Sequence, residues 1–215
     1  IVYWDSPDTI TTTSIQEQLL RKIETGRTKE EFSPFDIYQV AAEQQRTAFA
    51  EQQGPEGNTA SHDILEKLRE AQDEIKFFSG DFSWSNVTQS GDSALEVFEQ
   101  LASDGVTIRF IGRVDVESIT NTDQLLQINT QLDDDRISVR HTEQPLRAVI
   151  IDGEEAQLKE VRDSGTGQAT HLFYNIEDPE WVQWLDRVFW KLYRGGIPAD
   201  RRLEDLQSIQ NISTV

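Results

Sequence analysis

The tetrapeptide Ala148-Val149-Ile150-Ile151 is apolar at every position. A strand sends successive side chains to opposite faces, so a run without polar alternates must be covered on both sides. This requirement predicts an α/β fold: a layered sheet with helices flanking it. The surrounding pattern agrees. Asp63 and Glu66 have capping-box spacing ahead of Ile64, Leu65, Leu68 and Ala71, and 74–79 reads as a strand. From Asp92, the residues Ala94, Leu95, Phe98, Leu101 and Ala102 recur at helical spacing as far as Asp104-Gly105, and a strand over 106–111 follows. Asn121 with Gln124 predicts a short helix carrying Leu125, Leu126 and Ile128. Further strands are expected at 137–140, 146–152, 156–161 and 171–176. The last predicted helix opens with Asp178 as N-cap and Pro179 in the first turn, and closes at Gly195-Gly196. Its stripe of Trp181, Trp184, Leu185, Val188, Phe189 and Leu192 faces a core. Trp190 lies off that stripe and is free to serve an interface.

The first sixty residues read as helical. Ser14 with Glu17 opens one helix containing Ile15, Leu19, Leu20 and Ile23, and Gly26 ends it. Ser33-Pro34 starts a second, with Ile37, Val40, Ala41, Ala48 and Phe49 as its apolar stripe. Gly54-Pro55-Glu56-Gly57-Asn58 is the best linker candidate, which divides the chain into an N-terminal helical segment (1–60) and an α/β domain (61–215).

Charge narrows the partners. Thirty-nine acidic residues face 20 basic ones, a net charge of −19, and only six of the cations are lysines. Acidic, lysine-poor surfaces of this kind resemble those of proteins from salt-loving archaea, and the carboxylates are spread through the chain rather than gathered in a tail. Such a charge opposes non-specific attraction to DNA or anionic lipid, so nucleic acid is expected only through a part outside this chain. There is no cysteine and no apolar run near 18 residues, which excludes a disulfide framework and a membrane-spanning helix. A cytoplasmic protein is expected. With no methionine and Ile1 at the start, the natural polypeptide is expected to begin upstream.

One motif carries chemistry. Pro145-x-Arg147-x4-Asp152 lies within the strand region Ile137 to Gly153. Its spacing resembles the His-x-Lys-x4-Asp motif of the phospholipase D superfamily, with proline at the histidine position and arginine at the lysine position. The order of elements from about Asp63 to Gly195 is similar to one half of that fold. Val139-Arg140-His141, Ile151-Asp152-Gly153 and Phe189-Trp-Lys-Leu-Tyr193 further resemble pieces of the effector domains of archaeal TrmB-type transcriptional regulators. Residues 1–60 do not resemble the winged helix that precedes those domains. The resemblance implies a phospholipase D-like layered sheet, and a homodimer, because active members need two motif halves.

What the motif can still do follows from its residues. Proline offers no nucleophile and no titratable proton, so covalent phosphoryl transfer through position 145 is excluded. Arg147 remains a cation with a planar fork suited to phosphate or carboxylate. Arg113, Arg140, His141, Ser79, Asp81 and Asp152 are the candidates to join it in a pocket for a small anionic or sugar ligand. Two plainer roles stay open: the arginines neutralise nearby carboxylates, and Asp152-Gly153 is a hairpin turn. His171-x-Phe173-x4-Asp178 repeats the motif spacing, but Phe173 cannot hold a phosphate and Asp178 is better used as the helix N-cap. Three histidines without ligand spacing predict no metal site, and no cofactor motif appears. A non-catalytic regulatory or ligand-sensing module is therefore expected, in a transcriptional regulator by resemblance. The alternatives are a phosphodiesterase or nuclease with an unconventional nucleophile, and a protein-interaction module built on the N-terminal helices.

Overall fold

A computed structural model describes residues 7–52, 64–89, 91–163 and 169–212. Its ten strands are β1 (Arg46–Gln52), β2 (Glu74–Phe78), β3 (Thr88–Gln89), β4 (Asp92–Ser93), β5 (Thr107–Gly112), β6 (Ile137–His141), β7 (Ala148–Ile151), β8 (Glu155–Asp163), β9 (Ala169–Ile176) and β10 (Ile197–Pro198). Eight of them form one sheet in the order β1-β9-β8-β7-β2-β5-β6-β10, and β3 and β4 form a small ribbon. Only β2, β5 and β6 run parallel to one another; the other pairings are antiparallel. The helices are α1 (Pro7–Thr25), α2 (Phe35–Tyr38), α3 (Ile64–Leu68), α4 (Ala94–Ser103), α5 (Ile119–Leu132), α6 (Pro179–Gly195) and α7 (Ala199–Ile212).

The alternation of side chains along the central strands creates two cores. Ile75, Phe77, Ile108, Phe110, Val149 and Ile151 point to one face and pack under α3, α4, α5 and α7. Lining the other face are Phe78, Ile111, Ala148 and Ile150, which meet Leu19 and Ile23 of α1 and the apolar stripe of α6. All four residues of β7 are buried, as a strand covered from both sides requires. The mixed α/β architecture expected from sequence is the one observed.

Several local expectations are corrected. The region read as a second N-terminal helix is a short helix followed by a strand. α2 spans four residues, and Ala48 and Phe49 belong to β1, which pairs with β9 from Arg46↔Ile176 to Gln52↔Thr170. Seven residues of ladder, with Phe49 stacked on Phe173 at 5.0 Å between ring centres, outweigh a thin helical stripe. α1 starts at Pro7, not Ser14, because serine and glutamate three apart also occur inside helices and proline suits a first turn. α4 is capped by Ser93, whose Oγ accepts from the Glu96 N–H at 3.2 Å. α5 begins after Ser118 rather than at Asn121 and is 14 residues long. α7 carries little apolar periodicity: within its described side chains only Ala199, Leu203 and Leu206 are buried apolar positions in an otherwise polar segment. The expected linker at 54–58 lies outside the described residues. Among the described residues no helix is long and apolar enough to cross a membrane.

Candidate functional site

Parallel strands β2 and β5 end at Phe78 and Gly112, and antiparallel β7 begins beside them because Phe78 pairs with Ala148. The turns beyond these ends form the rim where ligands of open α/β sheets sit. Arg147 stands on it, just ahead of β7. Its Nη1 donates to the Leu146 carbonyl at 2.9 Å and reaches the Gln144 carbonyl at 3.4 Å. The guanidinium lies against Gly80: a Cβ there would come within 2.5 Å of Nη2 and 2.8 Å of both Nε and Cζ. Only a residue without a side chain lets the group lie this close to the backbone. Burial makes the Arg147 charge costly and lowers its pKa; Asp81 and Glu30 pull the other way, and Arg113 adds repulsion. Burial also opposes ionisation of Asp81, but hydrogen bonds from Ser83 and the nearby Arg147 charge more than offset it and hold that carboxyl below its usual range.

Pro145 is buried beside Arg147, its ring so close to Gly26 that a Cβ on that glycine would lie 2.8 Å from the proline Cγ. The segment 26–34, between α1 and α2, thus passes directly over Pro145. Phe32 and Ile37 anchor this strap in the second core, and ion pairs Lys22–Asp36 (3.0 Å) and Arg27–Glu143 tie it on either side. Between the strap and β8 a cleft of about 150 Å³ remains, walled by Lys29, Glu30, Phe32, Ser33 and Pro34 on one side and by Lys159, Glu160 and Val161 on the other. Pro145 and Arg147 form its floor.

The other candidates divide clearly. Arg113 stays at the rim, its N–H bonded to the Gly80 carbonyl at 2.6 Å and its Nε paired with Asp115 at 2.8 Å. Ser79 is buried; its Oγ accepts from the Phe82 N–H and its carbonyl accepts from Gln144 Nε2 at 2.8 Å, so it braces the turn beneath Arg147. His141 joins the next loop, where Nδ1 accepts from the Val114 N–H at 2.9 Å. Burial, with Arg202 next, lowers its pKa. Arg140 turns away: Nη1 donates to the Gly196 carbonyl at 3.0 Å and the guanidinium lies over the Tyr193 ring. Asp152 is remote, at the opposite end of β7 across roughly 16 Å of strand. It turns the β7–β8 hairpin with φ 51°, and its carboxylate accepts from the N–H groups of Gln72, Asp73 and Glu74 at 2.8–2.9 Å. The expectation that Arg140 and Asp152 converge on Arg147 is therefore corrected.

Lys29, Glu30, Lys159 and Glu160 were not among the candidates. Lys159 could have been found, because the hairpin about Asp152-Gly153 pairs Ala148 with Leu158 and so sets Lys159 opposite Arg147, whose carbonyl accepts its N–H at 2.8 Å. Nothing local marks Lys29, which reaches the rim only through the packing of α1. The second motif-like spacing is resolved as expected: Asp178 caps α6, accepting from the Glu180 N–H at 3.0 Å and from the Ala42 N–H at 2.8 Å.

No protein-family model matches the chain, and no curated protein matches it in sequence. Solved structures do. The chain is similar to Nuc from Salmonella typhimurium, a phospholipase D family member, at 11% identity and a TM-score of 0.50, over 72% of this chain and 98% of that one. It is also similar to TrmBL2, described as an archaeal chromatin protein with a novel mode of DNA binding, at 14% identity and a TM-score of 0.52. That match covers 88% of this chain but only 62% of TrmBL2. Likeness at such identities concerns the path of the backbone, and on that ground the chain has the phospholipase D-like fold, shared with a TrmB-type protein.

Proposed function

We propose that this chain is a non-catalytic, ligand-sensing module built on the phospholipase D-like fold and working in transcriptional control. One observation carries the reading: Pro145, which the motif spacing sets at the nucleophile position, is buried under Gly26, and Arg147, which the same spacing sets at the lysine position, is a cation beside it. A ring with no titratable proton cannot attack phosphorus, and the strap over it denies a substrate the approach it would need. A desolvated guanidinium beside a small cleft still suits recognition of a compact polar or anionic ligand. The DNA-binding role named for TrmBL2 gives the regulatory context. With a charge of −19, this chain would reach DNA through a segment outside it.

Wild-type protein is expected to leave bis-p-nitrophenyl phosphate and single-stranded DNA intact. Turnover that disappears in His141→Ala or His171→Ala would replace this reading with that of a hydrolase using an unusual nucleophile. The module is further proposed to act as a cytoplasmic homodimer. Light scattering coupled to size exclusion in high salt tests the dimer, and a monomer at every concentration rules it out.

A further inference from the structure

The six lysines of this chain separate into two groups. Four are ion-paired: Lys22 with Asp36, Lys67 with Glu155, Lys76 with Glu74 and Asp186, and Lys191 with Glu24. The other two, Lys29 and Lys159, have no carboxylate of the described residues within 4.0 Å, and both line the cleft above Arg147. Arg147 likewise has no such partner. In a chain with nearly two acids per base, three cations lining one cleft, none with a carboxylate of the described residues within 4.0 Å, are not what solvated surface charge produces.

We propose that Lys29, Lys159 and Arg147 hold a small tetrahedral oxyanion, either free phosphate or the terminal phosphate of a monoester. This rests on the sensing reading above and names its ligand class. Three features support it. The volume, about 150 Å³, is well below the roughly 300–1,000 Å³ that a drug-sized ligand fills, so the cleft suits one compact group. Arg147 and Lys159 are partly desolvated while Lys29 is exposed: burial holds the Lys159 ammonium below its ordinary pKa and Lys29 lowers it further by repulsion across the cleft, against the pull of Glu51. An anion between them relieves both costs. The site is also fixed in advance, since Phe32 and the two flanking ion pairs hold the strap that carries Lys29.

Two carboxylates share the lining. Glu160 is already engaged, by Arg162 Nε at 3.0 Å, the Tyr174 hydroxyl at 2.9 Å and the Ser33 hydroxyl at 3.3 Å. Glu30 is exposed at the mouth and coupled to Arg147, so it acts as a weak internal competitor. The overall charge of −19 does not forbid anion capture, because at about 0.1 M salt fields beyond roughly 10 Å are screened while these contacts are not.

Titration calorimetry of the full chain with inorganic phosphate, glucose 6-phosphate and glucose tests this. Saturable binding of one or both phosphates is expected. It should weaken about tenfold or more in Lys159→Met, which keeps an unbranched apolar stem but loses the ammonium over Phe173 and with it one charge-assisted hydrogen bond. Lys29→Gln should weaken it severalfold, Glu30→Gln should strengthen it, and Lys191→Gln, distant and ion-paired, should leave it unchanged. Preference between the two phosphates identifies the free ion or the monoester as the source. No phosphate binding, or binding indifferent to Lys159→Met, overturns the inference. Glucose binding that depends on Arg147 without phosphate binding overturns it too, yet leaves the sensing reading standing. Hydrolysis of a diester would instead remove the non-catalytic reading, and the lysine variants would still decide the oxyanion site.

Discussion

Three glycines at the rim show how the absence of one carbon positions the site. Gly26 lies against Pro145, Gly80 against Arg147 and Gly112 against Phe82. The first two respond differently to an added methyl group. At Gly80 the obstacle is the free end of a flexible side chain, which can swing aside. Gly80→Ala should change unfolding free energy by less than about 1 kcal/mol while displacing Arg147 and weakening phosphate binding. At Gly26 the obstacles are a proline ring at 2.8 Å and the Lys22 carbonyl at 3.0 Å, neither of which can rotate away. Gly26→Ala should cost about 1–3 kcal/mol in a urea titration, as overpacking does. His141 adds a pH dependence. Its Nδ1 accepts from Val114, so the imidazole there must be unprotonated, and burial keeps its pKa below that of the unfolded chain, about 6.5. Between those two values the unfolded state binds more protons, so stability should fall as the pH drops from about 6.5 through the folded-state value. His141→Asn, which keeps an acceptor, should flatten that part of the urea-midpoint profile. His171, lowered by burial in the same direction, should preserve the rest.

Among the elements, β2 and α6 are joined by an unusual contact for a central strand. Lys76 points into the core, is 2% exposed, and pairs with Asp186 of α6 at 2.6 Å and with Glu74. Trp190 covers it, the ammonium 5.6 Å from the ring centre, while Arg109 and Arg194 approach the same ring at 5.1 and 5.7 Å. The tryptophan that falls off the core stripe is therefore used inside the molecule, as a cover for cations. Lys76→Met should cost about 2–3 kcal/mol, below the full penalty of breaking a buried pair because Glu74 and Asp186 are each about 30% exposed. In a double-mutant cycle, adding Asp186→Asn should recover about 1 kcal/mol, since it removes the carboxylate left without its cation. Additive costs would mean the pair contributes no coupling. Strands β2, β5, β6, β7, β8 and β9 were legible because each combines β-branched or aromatic residues with a nearby turn signal. β1 was not, because Ile37, Val40, Ala41, Ala48 and Phe49 fit a helical period as well as they fit a strand preceded by a turn.

For the molecule as a whole, the charge of −19 sets the response to salt. Carboxylates outnumber cations throughout, so screening should relieve more repulsion than it removes attraction. Unfolding free energy is expected to rise by at least about 1 kcal/mol between 0.1 M and 2 M potassium chloride. In a chain of this size that corresponds to roughly 2–4 °C in Tm, measurable by differential scanning fluorimetry. A fall in Tm would show that the surface ion pairs outweigh the net repulsion. Phosphate binding should weaken over the same range, because its contacts are ionic.

Local chemistry was sufficient for the layered α/β class, the strand that sits at its centre and the Asp178 cap of α6. Each follows from periodicity or from hydrogen-bonding capacity, and these are properties of a residue and its near neighbours. Where the strap lies, that Arg140 and Asp152 leave the rim, and that Lys29 comes to face Lys159 were decided by tertiary structure alone. Those outcomes depend on which long-range surfaces bury together: 130 residues separate the two lysines, and only the docking of α1 and the β7–β8 hairpin on the same sheet brings their charges into one cleft.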